Sequence, residues 1–110
     1  MSVVFHLDEG DSQSQSELLG NLKNLREDEK VEQGEIAVVL NGDAVEMVEK
    51  GSKAEEFVEK ELTHGVEFKA CSNSLENRGI DELVEGVERA SSGVGELTRL
   101  QSQGFSYIKP

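Results

Sequence analysis

Tryptophan is absent from this sequence, proline occurs only at the last position, and cysteine occurs once, as Cys71. A single cysteine excludes an internal disulfide, and with it the stapled scaffolds of small secreted proteins. Aromatic residues make up only 5% of the chain, so a core must be built mainly from Val, Leu and Ile. No apolar run approaches the roughly 20 residues of a membrane span, and no signal-peptide pattern opens the chain. The expectation is a soluble, cytoplasmic protein. Basic residues are also scarce: 11 Lys and Arg against 23 Asp and Glu give a formal net charge of −12. Such a surface repels phosphate backbones and anionic lipid, so neither nucleic acid nor a membrane is an expected partner. Neither G-x-G-x-x-G nor G-x-x-x-x-G-K-[ST] occurs, which disfavours dinucleotide and nucleoside triphosphate chemistry, and no cofactor is expected. His6 and His64 stand at unrelated spacing and, with one cysteine, make no zinc signature, so no metal is expected. No Ser-His-Asp arrangement can be argued from the spacings.

What is present fits one domain over residues 1–110, with a single modest core. The acidic residues are spread along the chain rather than gathered in a tail. Dispersed acid with little Lys suits a protein kept soluble in concentrated salt, and equally an ordinary acidic cytosolic protein. Asp8, Glu9 and Asp11 form an acidic cluster that reads either as a divalent-ion ligand set or, more simply, as a solvated loop.

Patterning gives the order of elements. Ser2 to Leu7 is a short apolar strand. Ser14 and Glu17 stand at capping-box spacing before a helix with Leu18, Leu19, Leu22 and Leu25 on one face, running to about Glu29. Ile36 to Leu40 is continuously apolar, as in a strand covered on both faces. Asp43 to Lys50 predicts a short helix. Ser52 and Glu55 form a second capping box before a helix bearing Ala54, Phe57, Val58 and Leu62. Val66, Phe68 and Ala70 alternate with charged residues as a strand. A polar connection follows, with one turn of helix around Asp81 to Val84. Val87 to Ala90 is a short strand, Val94, Leu97 and Leu100 mark a last helix, and Phe105 to Ile108 a last strand. Repeated βα alternation with short connections implies a mostly parallel five-stranded sheet in an α/β fold, with right-handed crossings.

In such a sheet every strand ends on the same edge, where ligands bind. That topology places Asp8, Asn41, Cys71 and Ser91 on one rim. Cys71 carries the most specific chemistry. It sits where a strand hands over to a helix, with Asn73 and Glu76 at capping-box spacing, so its thiol lies ahead of a helix N-terminus. Free amides and the positive end of the helix dipole favour a thiolate there. The competing account is a small, semi-buried side chain at a strand end. Ser72 and Asn73 are candidate hydrogen-bond donors to a bound anion, although Asn73 is also a natural N-cap. Asn41 and Gly42 would let backbone approach a ligand, or serve only a turn that needs φ > 0. His6 as a base for Cys71 would need its side chain to point at the rim.

The opening Val3–Asp11 segment resembles the first strand and loop of the DsrE/DsrF-like family of small sulfur-relay proteins. So do Val38-Val39-Leu40-Asn41-Gly42, the cysteine segment Ala70-Cys71-Ser72-Asn73-Ser74-Leu75, and the stretch from Ser92 to Gln101 followed by Gly104 to Pro110. The four blocks run in register over nearly the whole chain. The resemblance implies a three-layer α/β/α fold with a parallel sheet of order 4-3-2-1-5 and assembly as trimers or hexamers. It implies a sulfurtransferase-like carrier with Cys71 at the family's cysteine position, holding sulfane sulfur as a persulfide. Partners would be sulfur donor and acceptor proteins or small thiols. The alternative within the same fold is a non-catalytic small-ligand-binding or assembly module.

Overall fold

The computed structural model describes all residues from Met1 to Pro110. Five strands, β1 (Val3–Leu7), β2 (Ile36–Leu40), β3 (Glu67–Cys71), β4 (Glu88–Ala90) and β5 (Ser106–Ile108), form one parallel sheet of order β4-β3-β2-β1-β5. Between them lie α1 (Ser12–Glu27), a 3-10 helix (Gly42–Val48), α2 (Glu55–Thr63), α3 (Ser72–Asn77) and α4 (Gly93–Ser102). The expected α/β/α layering and sheet order are those observed.

Strand parity divides the core. Val3, Phe5, Leu7, Ile36, Val38, Leu40, Phe68 and Ala70 point to one face and join Leu18, Leu22, Val45, Met47, Val58 and Leu75 in a 19-residue cluster. This places α1, the 3-10 helix, α2 and α3 on that face. Val4, Ala37 and Val39 point the other way and meet only Leu100, Phe105 and Leu97 of the α4 region. Both faces of β2 are thus covered, which is why it reads as an unbroken apolar run.

α4 is fixed over its face by Lys69, whose Nζ lies 3.1 Å from the Glu96 carboxylate, both side chains being 12% exposed. Arg99 first, then Lys69, hold the Glu96 carboxyl below its ordinary value against a smaller opposing effect of burial. On the opposite face the buried Glu61 of α2 is satisfied by Arg26 of α1, which ties the two helices together.

Several expected local features are corrected. The N-cap of α1 is Asp11, which accepts the Ser14 amide at 3.0 Å, so Ser14 and Glu17 lie inside the helix. α2 begins at Glu55 without a side-chain cap, and the Glu55 carboxylate instead accepts the Gly51 amide at 3.1 Å. The Asp43–Lys50 helix is a 3-10 helix. No helical turn forms around Asp81 to Val84; Leu83 makes an antiparallel bridge to Glu49 instead. Val94, expected on the apolar face of α4, is 72% exposed.

Candidate functional site

Cys71 is the last residue of β3 and also the N-cap of α3, with extended backbone (φ −62°, ψ 119°). No linker separates strand from helix, because pairing of Cys71 with Ala90 holds the residue extended while the chain turns into α3 one residue later. Asn73 is therefore within the first turn of α3 and is not its cap. Adjacent strands then send the chain to opposite faces. β3 continues into α3, whose Leu75 belongs to the larger core cluster, whereas β4 continues into α4, whose Leu100 belongs to the smaller one. Diverging connections mark the switch point at the carboxyl edge of a parallel sheet. Cys71 stands at that switch point, although none of the five cavities is lined by it.

Its environment is polar despite being buried: the residue is 6% exposed. Burial is the largest influence on the thiol and pushes its pKa up. The Ser74 hydroxyl and the backbone amides of Ser74, Gly93 and Asn73 act together in the opposite direction and leave it below the ordinary value. The neutral thiol makes no capping hydrogen bond to α3, so these donors act on the anion. They come from the starts of two helices on opposite faces of the sheet. The Ser74 oxygen accepts the Gly42 amide at 2.9 Å, which leaves the Ser74 hydroxyl proton free to point at the sulfur. Gly93, capped by Ser92 through the Gly95 amide at 2.9 Å, is buried between Asn41 and Cys71. A Cβ at Gly93 would stand 3.1 Å from the Asn41 Cβ and 3.6 Å from the Cys71 Cβ. Absence of a side chain there keeps the space beside the sulfur clear.

Asn41 lies one register step beyond the Leu40–Ala70 pair, on the same face as Cys71. Its Oδ1 is 2.7 Å from His6 Nε2, and His6 Nδ1 is 2.7 Å from the Tyr107 hydroxyl. The remaining expected site residues have other surroundings. Asp8 pairs with Lys109 at 2.9 Å, a contact that lowers the carboxyl pKa and tethers the C-terminal tail across the end of β1. Gly42 has φ +57°, and a Cβ there would meet the Asp8 carbonyl at 2.9 Å, so its glycine serves the turn and its amide orients Ser74. Ser72 opens α3, half-buried, and Ser91 is exposed in the bend before α4. A cavity of about 400 Å³ lies elsewhere, lined among others by Gln15, Met47, Lys53 and Arg78. No cluster of three or more His, Cys, Asp or Glu side chains has metal-binding geometry.

The profile of the DsrE/DsrF-like family matches residues 1–110. The chain belongs to the DsrE/DsrF-like family. Membership supports a function of the sulfur-relay kind. The structure of this DsrE/DsrF-like protein is similar to that of the protein of unknown function MTH1491 from Methanobacterium thermoautotrophicum. The two share 39% identity over 99% of this chain and 98% of the other, with a TM-score of 0.92. YchN from E. coli, at 22% identity and full coverage of both chains, has a TM-score of 0.80. BT1422 from Bacteroides thetaiotaomicron, at 17% identity over 99% and 94% of the two chains, has a TM-score of 0.75. The last two show the shared fold. No curated protein matches the sequence. No helix of this DsrE/DsrF-like protein is long and apolar enough to cross a membrane.

Three participants, Ser74, Gly93 and Tyr107, escape a reading along the sequence. Ser74 gains its role from Gly42, and Gly93 from Asn41, at long sequence separations. Strand parity was the usable signal: His6, Asn41 and Cys71 fall on one sheet face once the register is set.

Proposed function

We propose that this protein carries sulfane sulfur on Cys71 in a cytoplasmic sulfur relay. The single observation that carries the reading is the placement of Cys71 at the direct junction of β3 and α3 with the start of α4 beside it, where the Ser74 hydroxyl and nearby amides favour its anion. Such donors favour the thiolate, the form that attacks. The step balances without a redox partner. The Cys71 thiolate attacks the terminal sulfur of a donor persulfide, R–S–S⁻. The new bond forms as the donor's S–S bond breaks, the electron pair leaves on R–S⁻, and Cys71 holds the persulfide. An acceptor thiolate attacks the same terminal sulfur and returns Cys71 as thiolate. Donor and acceptor are proteins or small thiols. Ser72 and Asn73, at the start of α3, and Ser91, before α4, line the approach.

Mass spectrometry after incubation with a small persulfide donor tests the reading. Wild type gains sulfur on Cys71 and releases it to added thiol, whereas Cys71→Ser gains none. Equal uptake by Cys71→Ser sinks the proposal.

A second reading, assembly, has its own observation. β5 is an exposed edge strand, and Tyr107 (41%), Ile108 (39%) and Val94 (72%) present apolar surface to solvent. We propose that copies of the chain associate through this region as a trimer or hexamer. Light scattering coupled to size exclusion decides it, and a strictly monomeric mass at high concentration rejects it.

A further inference from the structure

We infer that Tyr107 and His6 are positioning residues that hold the Asn41 amide as a hydrogen-bond donor to the terminal sulfur carried on Cys71. The inference rests on the sulfur-carrier reading above and adds residues of β1 and β5 to it.

Both ring nitrogens of His6 are engaged, at 2.7 Å each. The Asn41 Oδ1 can only accept, so His6 Nε2 carries the proton. In the neutral ring Nδ1 must then accept, and the Tyr107 hydroxyl donates to it. The order of donation is fixed from one end: Tyr107 to His6, His6 to Asn41. With its oxygen committed to the ring, the Asn41 amide must turn its two N–H donors away from His6. No protein acceptor takes them, and no side-chain nitrogen is sealed from solvent without a partner. Asn41 and Cys71 flank Gly93: a Cβ there would stand 3.1 Å from the Asn41 Cβ, 3.6 Å from its Cγ and 3.6 Å from the Cys71 Cβ.

The Ser74 hydroxyl and three backbone amides favour the free thiolate. A persulfide moves the negative charge one sulfur outward, beyond those donors. The moved charge needs a donor placed further along the rim, on the same face as Cys71, and Asn41 occupies that position. A mobile asparagine would lose rotamer freedom on binding the cargo; one clamped through its oxygen has already lost it. Tyr107 is 41% exposed on the edge strand, and its ring lies 5.8 Å from that of His6, so the clamp is anchored at the sheet margin rather than in the core.

The test compares wild type, Tyr107→Phe, His6→Phe and Asn41→Ala, each loaded with glutathione persulfide and followed by intact-mass spectrometry after the donor is removed. Asn41→Ala is expected to shorten the lifetime of the loaded form by about tenfold, the loss of one hydrogen bond to a charged acceptor. Tyr107→Phe, which keeps the ring, is expected to shorten it by roughly threefold, and His6→Phe to fall between. Alkylation of the unloaded thiol by iodoacetamide should be unchanged in Tyr107→Phe and His6→Phe. Lifetimes equal to wild type in Tyr107→Phe and His6→Phe overturn the clamp, even if Asn41→Ala is impaired. A second measurement does not depend on sulfur: ¹⁵N shifts of the His6 ring should report the Nε2–H tautomer in wild type and its redistribution in Tyr107→Phe. An Nδ1–H ring in wild type overturns the inference. If wild type takes up no sulfur yet shows the Nε2–H ring, the carrier reading is what has failed, and with it the clamp's assignment to that cargo.

Discussion

Replacing Ser74 with Ala removes the hydroxyl that acts on the Cys71 anion and leaves the Gly42 amide without its acceptor. A hydrogen bond to a charged group contributes about 1.5 kcal/mol or more, which is roughly a tenfold loss in the thiolate fraction below the thiol pKa. The loss is partly offset. A more basic thiolate is a better nucleophile, with a Brønsted slope of about 0.4–0.5, so each remaining thiolate reacts roughly threefold faster. At a pH below both pKa values the net rate of exchange with a small disulfide reagent should therefore fall about threefold. Above the pKa of both thiols, where ionisation is complete, the variant should react faster than wild type by a similar factor. The two pH–rate curves must cross. Stability follows the same linkage. The folded thiol ionises below the ordinary value, so between the two pKa values the unfolded chain binds more protons and wild-type stability rises with pH. That gain is lost as pH falls through the folded pKa, and Ser74→Ala should flatten the rise. Parallel pH–rate curves without a crossing, or a variant slower at every pH, would refute the hydroxyl's role.

Gly93→Ala keeps a helical backbone and gains helix propensity, so stability should change by no more than about 1 kcal/mol. The new methyl at 3.1 Å from the Asn41 Cβ narrows the space beside Cys71; alkylation and sulfur uptake should slow together, and unchanged rates would show that the reagent arrives by another route. Arg26→Ala strands the buried Glu61 carboxylate, whose side chain is 5% exposed. A cost of roughly 2–3 kcal/mol is expected, below the fully buried limit because Arg26 itself is partly exposed. Urea unfolding should show a lower midpoint at unchanged m, and a loss under about 1 kcal/mol contradicts the assignment. Net charge −12 predicts a melting temperature that rises from dilute buffer to molar potassium chloride, where screening shortens to about 3 Å; indifference to salt removes the case for a salt-adapted surface.

The strands and their burial were legible because strand parity and apolar runs are local signals. Ile36 to Leu40 could be nothing but a central strand, and all five of its residues are buried. Helix starts were not legible. Asp11, Ser12 and Ser14 are all competent caps within four residues, and the choice of Asp11 follows from where the β1 loop delivers the chain. Cys71 displaced Asn73 as the cap of α3 because a ladder pair with Ala90, nineteen residues away, carries β3 to its last possible residue. Strand order came from the family resemblance rather than from patterning. The candidate site was half legible for a related reason. Cys71 announces itself, whereas Ser74 and Gly93 are ordinary small residues until Gly42 and Asn41 are placed beside them. His6 and Tyr107 are 101 residues apart, and only the return of the chain through α4 to β5 makes them neighbours.

Two electrostatic scales act on Cys71, and the structure decides between them. The surface carries an excess of acid, which opposes ionisation of any thiol, but that opposition is long-ranged and is screened over about 8–10 Å at ordinary ionic strength. The groups that favour the anion are one hydroxyl and the amides at the starts of α3 and α4, all short-ranged in their effect and none of them charged. Short-range dipoles in a nearly dry site lose little to salt, because no ions enter between them and the sulfur. Lys69, the nearest cation on β3, is occupied by Glu96 and leaves the field at the sulfur to those dipoles. Surface charge and site chemistry are thereby separated. Changing salt should move the stability of the whole domain while leaving the pH profile of the Cys71 thiol where the two helix starts set it.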